Sequence, residues 1–393
     1  FSNKTDTDIK TTPTAAIAQA EKKEPPARPL EPETLFDLLV AEIAAKERRF
    51  DITLGNYLRQ SHATKDIGVV ARTTQIARYL RAHQATMESV HLWLQLEPHS
   101  PEALQIAAAE YLHENEFDKS IEYIDRLLKQ DANANFEYVL QQSERVPNTK
   151  RKDLIAALSR LSEKHPKNAN VWFTKALAQE MNGEFNAAID SSSVAIDINE
   201  NFLPAILFKA ELLAKTQQPE AATDILKKAV NRFESNKRLR LIYADSLLKA
   251  NQERKALSHL NWLKEKYPDD FETQLASALI LWDNGQKEPA KEYLISLSNQ
   301  KDYADEAHSN LAEIYKTEGN IEKAISHFKQ VMMGPFYPIA QTQLALLYAE
   351  NNQYDLALAA IKQAKKEYPQ GLTQFYATEA EVMVRSGKAE QAL

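Results

Sequence analysis

Histidines and paired carboxylates are the side chains of this sequence that could carry catalysis or hold a metal ion. Nine histidines occur among 393 residues, but none lies in an HExxH pattern or in a pair at metal-binding spacing. No GxSxG pattern supplies a serine nucleophile. We interpret five histidines as surface or packing residues: His62, His83, His91, His99 and His113. The sequence therefore predicts no catalytic residue and no metal site.

Two pairs of acidic residues, Glu114 with Glu116 and Asp269 with Asp270, fall at predicted turns and helix starts. Carboxylates at these places cap exposed N–H groups and complement the helix dipole. No GxGxxG or GxxxxGK[ST] loop is present to hold a phosphate. We therefore predict no cofactor, and we predict that the chain is not an enzyme.

Composition narrows the class of partner. The formal net charge is −7 and the pI is about 5.8, and no basic stripe is present, so nucleic acid is not an expected partner. The sequence contains no cysteine, which excludes disulfides, thiolate zinc sites and cysteine nucleophiles. No run approaches the roughly 18 apolar residues of a membrane span. Few glycines and a 44% share of hydrophobic residues favour a mainly helical protein.

Residues 1–30 differ in composition from the rest of the chain. They are rich in Thr, Ala, Lys, Glu and Pro and almost lack large apolar residues. We predict that they form a flexible tether. Because the sequence begins at Phe1, we expect a further segment upstream.

From residue 31 onward, small residues recur with a period of about 34 residues, once in the first helix of each unit and again twelve residues later. The first set is Ala41, Thr74, Ala108, Gln142, Ala176, Ala210, Ala244, Ala278, Ala312, Ala345 and Ala380. The second set is Thr53, Thr86, Ser120, Leu154, Ala188, Ala222, Ala256, Ala290, Ala324, Ala357 and Ala392. Small residues allow two antiparallel helices to approach closely where they cross. Because Gln142 and Leu154 break the pattern, we interpret the fourth unit as degenerate.

Turn residues follow the same period. Gly183, Gly285, Gly319 and Gly387 fall between the two helices of their units, where a residue that tolerates positive φ is favoured. Asn251 and Asn352 substitute for glycine in two other units. Prolines mark the ends of four units: Pro98, Pro166, Pro268 and Pro369.

These positions resemble the tetratricopeptide repeat (TPR), as in Trp172, Ala176, Gly183, Phe185 and Ala188. The resemblance implies an all-α fold, a TPR solenoid in which antiparallel helix pairs form a right-handed superhelix. We expect this array to occupy residues 31–393, with ten full repeats and an eleventh truncated at Leu393. It also implies a protein that works by binding other proteins.

In such arrays the first helix of each repeat lines the concave face. One position on that helix is apolar in four successive repeats, at Phe173, Leu207, Leu241 and Leu275, before it changes to Ser309. We predict that this row belongs to a groove for an amphipathic or extended segment, with packing on a neighbouring helix as the alternative. Eight further residues complete the predicted groove: Leu177, Met181, Lys215, Arg238, Leu248, Lys249, Leu279 and Trp282.

The first two repeats, around Leu38–Leu58 and Ala71–His83, resemble TPR outer-membrane lipoproteins of Gram-negative bacteria, in particular the adaptor of a C-terminal processing protease. This resemblance implies a periplasmic scaffold held at the outer membrane by a lipid anchor upstream. Its partners would be the protease and substrates such as peptidoglycan hydrolases. Two alternatives remain open: a structural subunit of a secretion or polysaccharide-export assembly, and a glycosyltransferase whose catalytic domain follows Leu393.

Overall fold

The computed structural model describes residues 31–132, 134 and 146–388, and these form helices joined by short turns. Twenty α-helices and two 3₁₀ turns are present in this part of the chain, and no strand occurs in it. The predicted all-α class is confirmed, and the fold is a TPR solenoid. None of the described helices is long and apolar enough to cross a membrane. The predicted tether, residues 1–30, lies outside the described residues.

Contacts divide the chain into two compact units, residues 1–142 and residues 143–393. The boundary falls inside the fourth repeat, which the sequence marks as degenerate. The described part of unit 1 contains six helices. They are α1 (Pro32–Lys46), α2 (Phe50–Thr64), α3 (Ile67–Tyr79), α4 (His83–Leu96), α5 (Pro101–His113) and α6 (Phe117–Gln130).

Unit 2 contains fourteen described helices, paired in the same way. The first seven are α7 (Arg151–Lys164), α8 (Ala169–Met181), α9 (Phe185–Ile198), α10 (Leu203–Lys215), α11 (Pro219–Arg232), α12 (Lys237–Lys249) and α13 (Glu253–Lys266). The other seven are α14 (Phe271–Asp283), α15 (Lys287–Leu297), α16 (Ala304–Thr317), α17 (Ile321–Gln330), α18 (Phe336–Glu350), α19 (Tyr354–Glu367) and α20 (Leu372–Arg385). Each helix packs mainly on its neighbours in sequence.

The predicted small positions lie where the two helices of a repeat cross. Thr53 Oγ1 donates a hydrogen bond to the carbonyl oxygen of Ala41 at 3.2 Å, and Ser120 Oγ does the same to Ala108 at 2.7 Å. Every described member of both sets is buried except Ala380, which is partly buried. Larger side chains would push the crossing helices apart, so the prediction about close packing is confirmed.

The turn between the helices of a repeat contains one residue in the left-handed region. All four predicted glycines adopt it, with φ between 74° and 79°, and Asn251 and Asn352 adopt it at 58°. The sequence did not predict four further residues that do the same: Arg48, Arg81, Asn115 and Gln217. The turn geometry is therefore a property of the repeat and tolerates several residue types.

The fourth repeat departs from the others in its described part. Its second helix is α7, and the turn before it is a 3₁₀ turn at Asn148–Lys150 without a left-handed residue. Leu154, the large residue at the crossing position, is buried in α7. Gln142 of this repeat and Ala392 of the eleventh lie outside the described residues. The prediction that the fourth repeat is irregular is confirmed for residues 146–166.

Prolines end the repeats as predicted. Pro98 follows the last residue of α4 by two positions, and Pro166, Pro268 and Pro369 follow α7, α13 and α19 in the same way. A proline cannot continue a helix, because it lacks an N–H and its ring clashes with the preceding turn. The next first helix can then start within a few residues.

The core of unit 2 runs along the stack of helices. One cluster of buried side chains extends from α10 to α16 and includes Leu226, Leu239 and Leu260. A second cluster extends from α16 to α20 and includes Phe328 and Phe375. Helix α16 contributes residues to both clusters and therefore joins them.

Candidate protein-binding groove

Four first helices of unit 2, α8, α10, α12 and α14, carry the predicted groove. Their crossing residues Ala176, Ala210, Ala244 and Ala278 all face the second helix of the same repeat and are buried. The predicted row Phe173, Leu207, Leu241 and Leu275, called the ladder below, lies three residues before each crossing residue. Each ladder side chain therefore points about 60° around the helix from the crossing side chain, at the same height in each helix. This register arises because the repeat is 34 residues long in all four units.

The ladder is half-buried for three of its four members. Phe173, Leu207 and Leu241 keep part of their surface in solvent, and Leu207 and Leu241 pack against the buried cluster of unit 2. Phe173 meets Phe208 of the next first helix edge to face, with ring centroids 5.6 Å apart. Leu275 is buried and belongs to the core. The side chains of the row therefore pack against neighbouring helices and also present apolar surface to solvent.

The other apolar residues of the predicted groove also differ in burial. Leu177, Met181, Leu279 and Trp282 are partly exposed, and the last two pack against the core cluster. Leu248 is buried, which corrects its assignment to a free surface. It contributes to the core because it follows the crossing residue Ala244 by four positions, one turn along the same face.

Two of the three predicted positive charges are paired with carboxylates. Lys215 Nζ lies 2.9 Å from Glu180 Oε1 on the neighbouring first helix and 4.4 Å from the centre of the Phe185 ring. Lys249 Nζ lies 2.7 Å from Asp245 Oδ2. These two lysines do not give the groove a free positive charge.

The fully exposed charged residues of these helices that lack an ion pair within the described residues are mainly acidic. Arg238 is exposed and makes no ion pair within the described residues. Three carboxylates that the sequence did not identify are exposed and unpaired in the same way: Glu211, Glu272 and Asp283. Glu211 follows Leu207 by four residues, and Asp283 follows Leu279 by four, so each lies one turn from a groove residue. That helical spacing is the signal that could have identified them. Among these exposed, unpaired residues, three acids outnumber one arginine.

Polar contacts join adjacent first helices at the edge of the groove. Asn284, after the end of α14, donates from Nδ2 to Asp245 Oδ1 of α12 at 2.9 Å. Beyond the groove, Lys316 of α16 donates to Gln343 Oε1 of α18 at 2.6 Å. Both hydrogen bonds hold neighbouring repeats in register, and the first joins two helices of the groove.

The histidines of unit 1 are engaged in packing contacts. His62 Nε2 lies 2.7 Å from Glu88, and His91 Nε2 lies 3.0 Å from the Tyr111 hydroxyl. Burial, with a smaller effect of Lys119, lowers the pKa of His91. No group of three or more His, Asp or Glu side chains within the described ranges could hold a metal ion.

Three further histidine contacts are of the same kind. His83 Nδ1 lies 2.8 Å from Glu110, and its ring stacks on His113 with centroids 3.9 Å apart. His99 Nδ1 lies 3.5 Å from Gln130 Nε2. Each ring contacts a side chain of another helix, as expected for packing residues.

Asp270 confirms the expected capping role of a carboxylate at a helix start. Its Oδ1 accepts a hydrogen bond from the backbone N–H of Thr273 at 3.1 Å, and Lys237 pairs with Oδ2. Burial alone would raise the pKa of this carboxyl, but the hydrogen bonds from Lys237 and Thr273 lower it below its usual value. The carboxylate therefore stabilises α14 and has no free proton to transfer at neutral pH.

One cavity of about 550 Å³ lies beside α13, α14 and α15. Its lining residues include Asn261, Lys264, Glu265, Phe271 and Gln274. None of its lining residues is a histidine or an activated nucleophile.

Comparison with known proteins supports the repeat assignment. The tetratricopeptide repeat family matches residues 305–333 and 340–371. A TPR repeat-containing protein of Pseudomonas aeruginosa is 28% identical over 365 residues, which cover 92% of this chain and 61% of the relative. The chain thus spans about three fifths of that relative's length.

Solved structures with a similar arrangement are more distant. Yeast Tom70 shares 12% identity at a TM-score of 0.39, with 92% of this chain and 90% of the other covered. PilW, a type IV pilus biogenesis factor, shares 15% identity at a TM-score of 0.32, with 62% and 98% covered. Similarity at this level carries no argument about curvature or partners.

Proposed function

Because the chain is a tetratricopeptide-repeat solenoid, we propose that it is a non-catalytic scaffold that captures a periplasmic C-terminal processing protease and presents substrates such as peptidoglycan hydrolases. TPR proteins act as protein-interaction scaffolds, and solenoids of this kind are typically non-catalytic. The finer assignment is supported by the resemblance of the first two repeats to lipoprotein adaptors. A lipid anchor upstream would hold the scaffold at the outer membrane.

The observation that carries the proposed binding role is the half-buried row Phe173, Leu207 and Leu241 along three successive first helices. Apolar side chains with residual solvent exposure, held at fixed spacing by rigid helices, can bind a partner with little loss of conformational entropy. An occupant that covers them gains the free energy of burying apolar surface. Leu248 and Leu275 belong to the buried cluster against which Leu207 and Leu241 pack.

Unpaired carboxylates define the chemistry of the proposed occupant. Glu211 and Glu272 lie within a turn of the ladder positions Leu207 and Leu275, and Asp283 lies one turn from Leu279. A segment with alternating apolar and basic residues therefore fits this surface best. Raising the ionic strength should weaken its binding, because exposed charges are screened within about 8 Å at physiological salt. Binding that is independent of salt would argue against this charge pattern.

Scaffolding accelerates cleavage by raising the local concentration of one partner at the other. A protease and a substrate bound to the same chain meet at an effective concentration set by the geometry of the scaffold. The chain needs no reactive group for this role, since the chemistry belongs to the protease. The expected signature is faster cleavage when both proteins can bind and no effect on a substrate that cannot.

The test is a pull-down from envelope extract with the full chain as bait, followed by binding measurements with the purified protease. We expect a C-terminal processing protease and cell-wall hydrolases to be recovered. Leu207→Glu with Leu241→Glu should weaken binding at least tenfold, which corresponds to about 1.4 kcal/mol.

Ile295→Glu is a matched control, because Ile295 is an exposed apolar residue of a second helix. It should leave affinity unchanged. Equal affinity of the groove variant and the control would contradict the proposed groove. Recovery of secretion or export components alone would instead favour the structural-subunit alternative.

A further inference from the structure

The cavity beside α13, α14 and α15 lies at the junction between two successive repeats of unit 2. Its volume of about 550 Å³ is sufficient for a side chain or a small ligand. One lining residue, Gln274, is only 4% exposed, and its Nε2 donates a hydrogen bond to the carbonyl oxygen of Pro268 at 2.7 Å. Pro268 and Ser296 also line the cavity. The cavity therefore includes polar groups that the fold holds in place.

Ser296 has a short side chain at a position where the other repeats have longer ones. It follows the crossing residue Ala290 by six positions. The residues at the same distance from the second crossing residue elsewhere are Arg59, Leu92, Arg126, Arg160, Val194, Lys228, Trp262, Gln330 and Gln363. All of them are larger than serine, and arginine is the commonest. The cavity thus lies beside a position that several repeats give to a guanidinium.

Arg59 of unit 1 shows what a guanidinium contacts from this position. Its Nη1 lies 3.0 Å from Asp37 Oδ2. Asp37 is the counterpart of Gln274, because each precedes the first crossing residue of its repeat by four positions. In this repeat, an arginine at the position of Ser296 therefore bonds to the counterpart of the buried amide of the cavity.

Arg126, also at the position of Ser296, contacts the counterpart of Pro268. Its Nη2 donates a hydrogen bond to the carbonyl oxygen of Pro98 at 2.9 Å, and both prolines precede the first crossing residue by ten positions. Glu200 has the same position in its repeat, and its carbonyl oxygen accepts a hydrogen bond from Arg232. A carbonyl oxygen at this position thus binds a guanidinium in two repeats.

The preceding junction of unit 2 contains a guanidinium that comes from the first helix. Arg240 and Trp262 precede Gln274 and Ser296 by 34 residues, and the Arg240 guanidinium carbon lies 3.6 Å from the centre of the Trp262 ring. Arg240 Nη2 also donates to the carbonyl oxygen of Glu234 at 3.2 Å. Glutamine and serine fill much less volume than arginine and tryptophan, so the later junction contains the cavity.

Two carboxylates distinguish this junction from the preceding one. Glu265 and Asp269 line the cavity, are exposed and make no ion pair within the described residues. Their counterparts beside Arg240 are Asn231 and Ser235, which carry no charge. The acidic pair therefore occurs where the chain supplies no guanidinium of its own, and it favours a positively charged occupant.

The rest of the lining is compatible with a planar cation. Lys264 is the single basic residue among the lining residues, so the two acids leave the lining with a net negative charge. Its Nζ lies 4.8 Å from the centre of the Tyr293 ring, where a cation–π interaction holds it. Phe271 supplies an aromatic ring, and guanidinium groups stack on such rings more readily than ammonium groups do.

We propose that this cavity binds an arginine side chain of a partner protein. The carboxylates of Glu265 and Asp269 accept hydrogen bonds from its N–H groups, and so does the carbonyl oxygen of Pro268, which has a second lone pair besides the one used by Gln274. Free arginine fits less well, because Lys264 is the one basic group available to its α-carboxylate. An arginine within a protein has no such carboxylate.

A blocked amino acid tests the preference for arginine. The probe is N-acetyl-arginine N-methylamide, titrated against the full chain by NMR. A single side chain binds weakly, so we expect a dissociation constant on the order of a millimolar. The citrulline analogue has nearly the same shape without the charge and should bind about tenfold more weakly. Equal affinity of the two probes would overturn the proposal, and tighter binding of free arginine would overturn the assignment to a protein partner.

Ser296→Arg tests the location of the site. It supplies a guanidinium from within the chain, as Arg59 and Arg126 do in their repeats, and should weaken probe binding about tenfold. Ser258→Arg is the matched control, because Ser258 is an exposed residue of α13 outside the cavity lining. Equal affinity of the two variants would overturn the proposed site. Circular dichroism verifies that both variants remain folded.

Removal of the carboxylates tests the charge contact. Glu265→Gln with Asp269→Asn should weaken binding of the arginine probe severalfold. Glu272→Gln with Asp283→Asn changes the net charge equally at exposed positions of α14 outside the lining, and should leave the affinity nearly unchanged. An equal loss in both double variants would show that only the net charge of the chain matters, and would contradict the contact.

This site is independent of the ladder and of the proposed protease partner. None of the residues that line the cavity belongs to the ladder. Leu207→Glu with Leu241→Glu should therefore bind the arginine probe as the natural chain does, and Ser296→Arg should still bind a partner that uses the ladder alone. Loss of probe binding in the ladder variant would contradict a separate site, so the two hypotheses fail in distinguishable ways.

Discussion

Left-handed turn residues set the strongest constraint on single positions. Gln217 has a φ of 61°, a conformation that costs a residue with a Cβ about 1–2 kcal/mol. We predict that Gln217→Gly increases the free energy of unfolding by up to about 1 kcal/mol. Gly183→Ala should decrease it by about the same amount, although a Cβ there would meet no atom within 4 Å.

Urea unfolding of each variant measures both effects. Gly55→Ala is the matched control, because Gly55 lies inside α2 with equally open surroundings but without a positive φ. Alanine is favoured over glycine by about 1 kcal/mol inside a helix, so the control should be stabilised. If Gly183→Ala were stabilised to the same extent, the turn would not impose the left-handed conformation.

A histidine pair in unit 2 makes stability depend on pH. His308 Nδ1 and His327 Nδ1 lie 2.9 Å apart, so one nitrogen donates and the other accepts, which requires an unprotonated acceptor. Burial lowers the pKa of both rings; the neighbouring His308 and Lys323 lower that of His327 further, while Asp305 opposes the shift at His308. The Tyr315 ring stacks on His327 and contributes to this burial.

The sign of the pH dependence follows from proton binding. In the unfolded chain these histidines titrate near pH 6.5, whereas the folded pair resists protonation. The free energy of unfolding should therefore have its highest value above about pH 7 and decrease as the pH is lowered towards 5. Denaturant unfolding at several pH values should show a smaller loss in His308→Gln with His327→Gln; an unchanged slope would exclude this pair as the cause.

At the scale of helices, the crossing of a repeat's two helices decides how close they pack. Ala244 of α12 and Ala256 of α13 are both fully buried. Ala244→Leu adds volume that the crossing cannot accept, so we predict a loss of about 1–3 kcal/mol in unfolding free energy. Ala214→Leu, at an exposed position near the end of α10, should change stability by less than about 0.5 kcal/mol. Equal losses would show that the crossing is not tightly packed.

At the scale of the whole molecule, stability is a sum of repeat and neighbour terms. Described helices contact mainly their sequence neighbours, and units 1 and 2 have separate sets of contacts. Hydrogen exchange of Ala244→Leu should therefore increase in α11 to α14 and remain unchanged in unit 1. Faster exchange throughout the chain would indicate a single cooperative unit.

Local pattern was sufficient to predict most of the repeat. Ala41, Ala176 and Ala244 could be identified as crossing residues because close packing accepts only small side chains, and the period places them without a structure. Gly183 and Gly285 could be identified as turn residues because glycine is the least costly residue at positive φ. Arg48 and Gln217 could not, because any residue can occupy that conformation when the packed helices on both sides enforce it.

By itself, the sequence determined the all-α class, the repeat length and the first-helix row Phe173, Leu207 and Leu241, because these depend on periodicity along one chain. Tertiary structure decided that Leu248 and Leu275 are core, that Lys215 and Lys249 are paired and that the apolar side chains Leu35, Phe36, Leu39 and Ile43 of α1 are exposed. Each of these outcomes depends on which side chain of a neighbouring helix lies within contact distance. Periodicity assigns a residue to a face of its own helix, but only packing determines what covers that face.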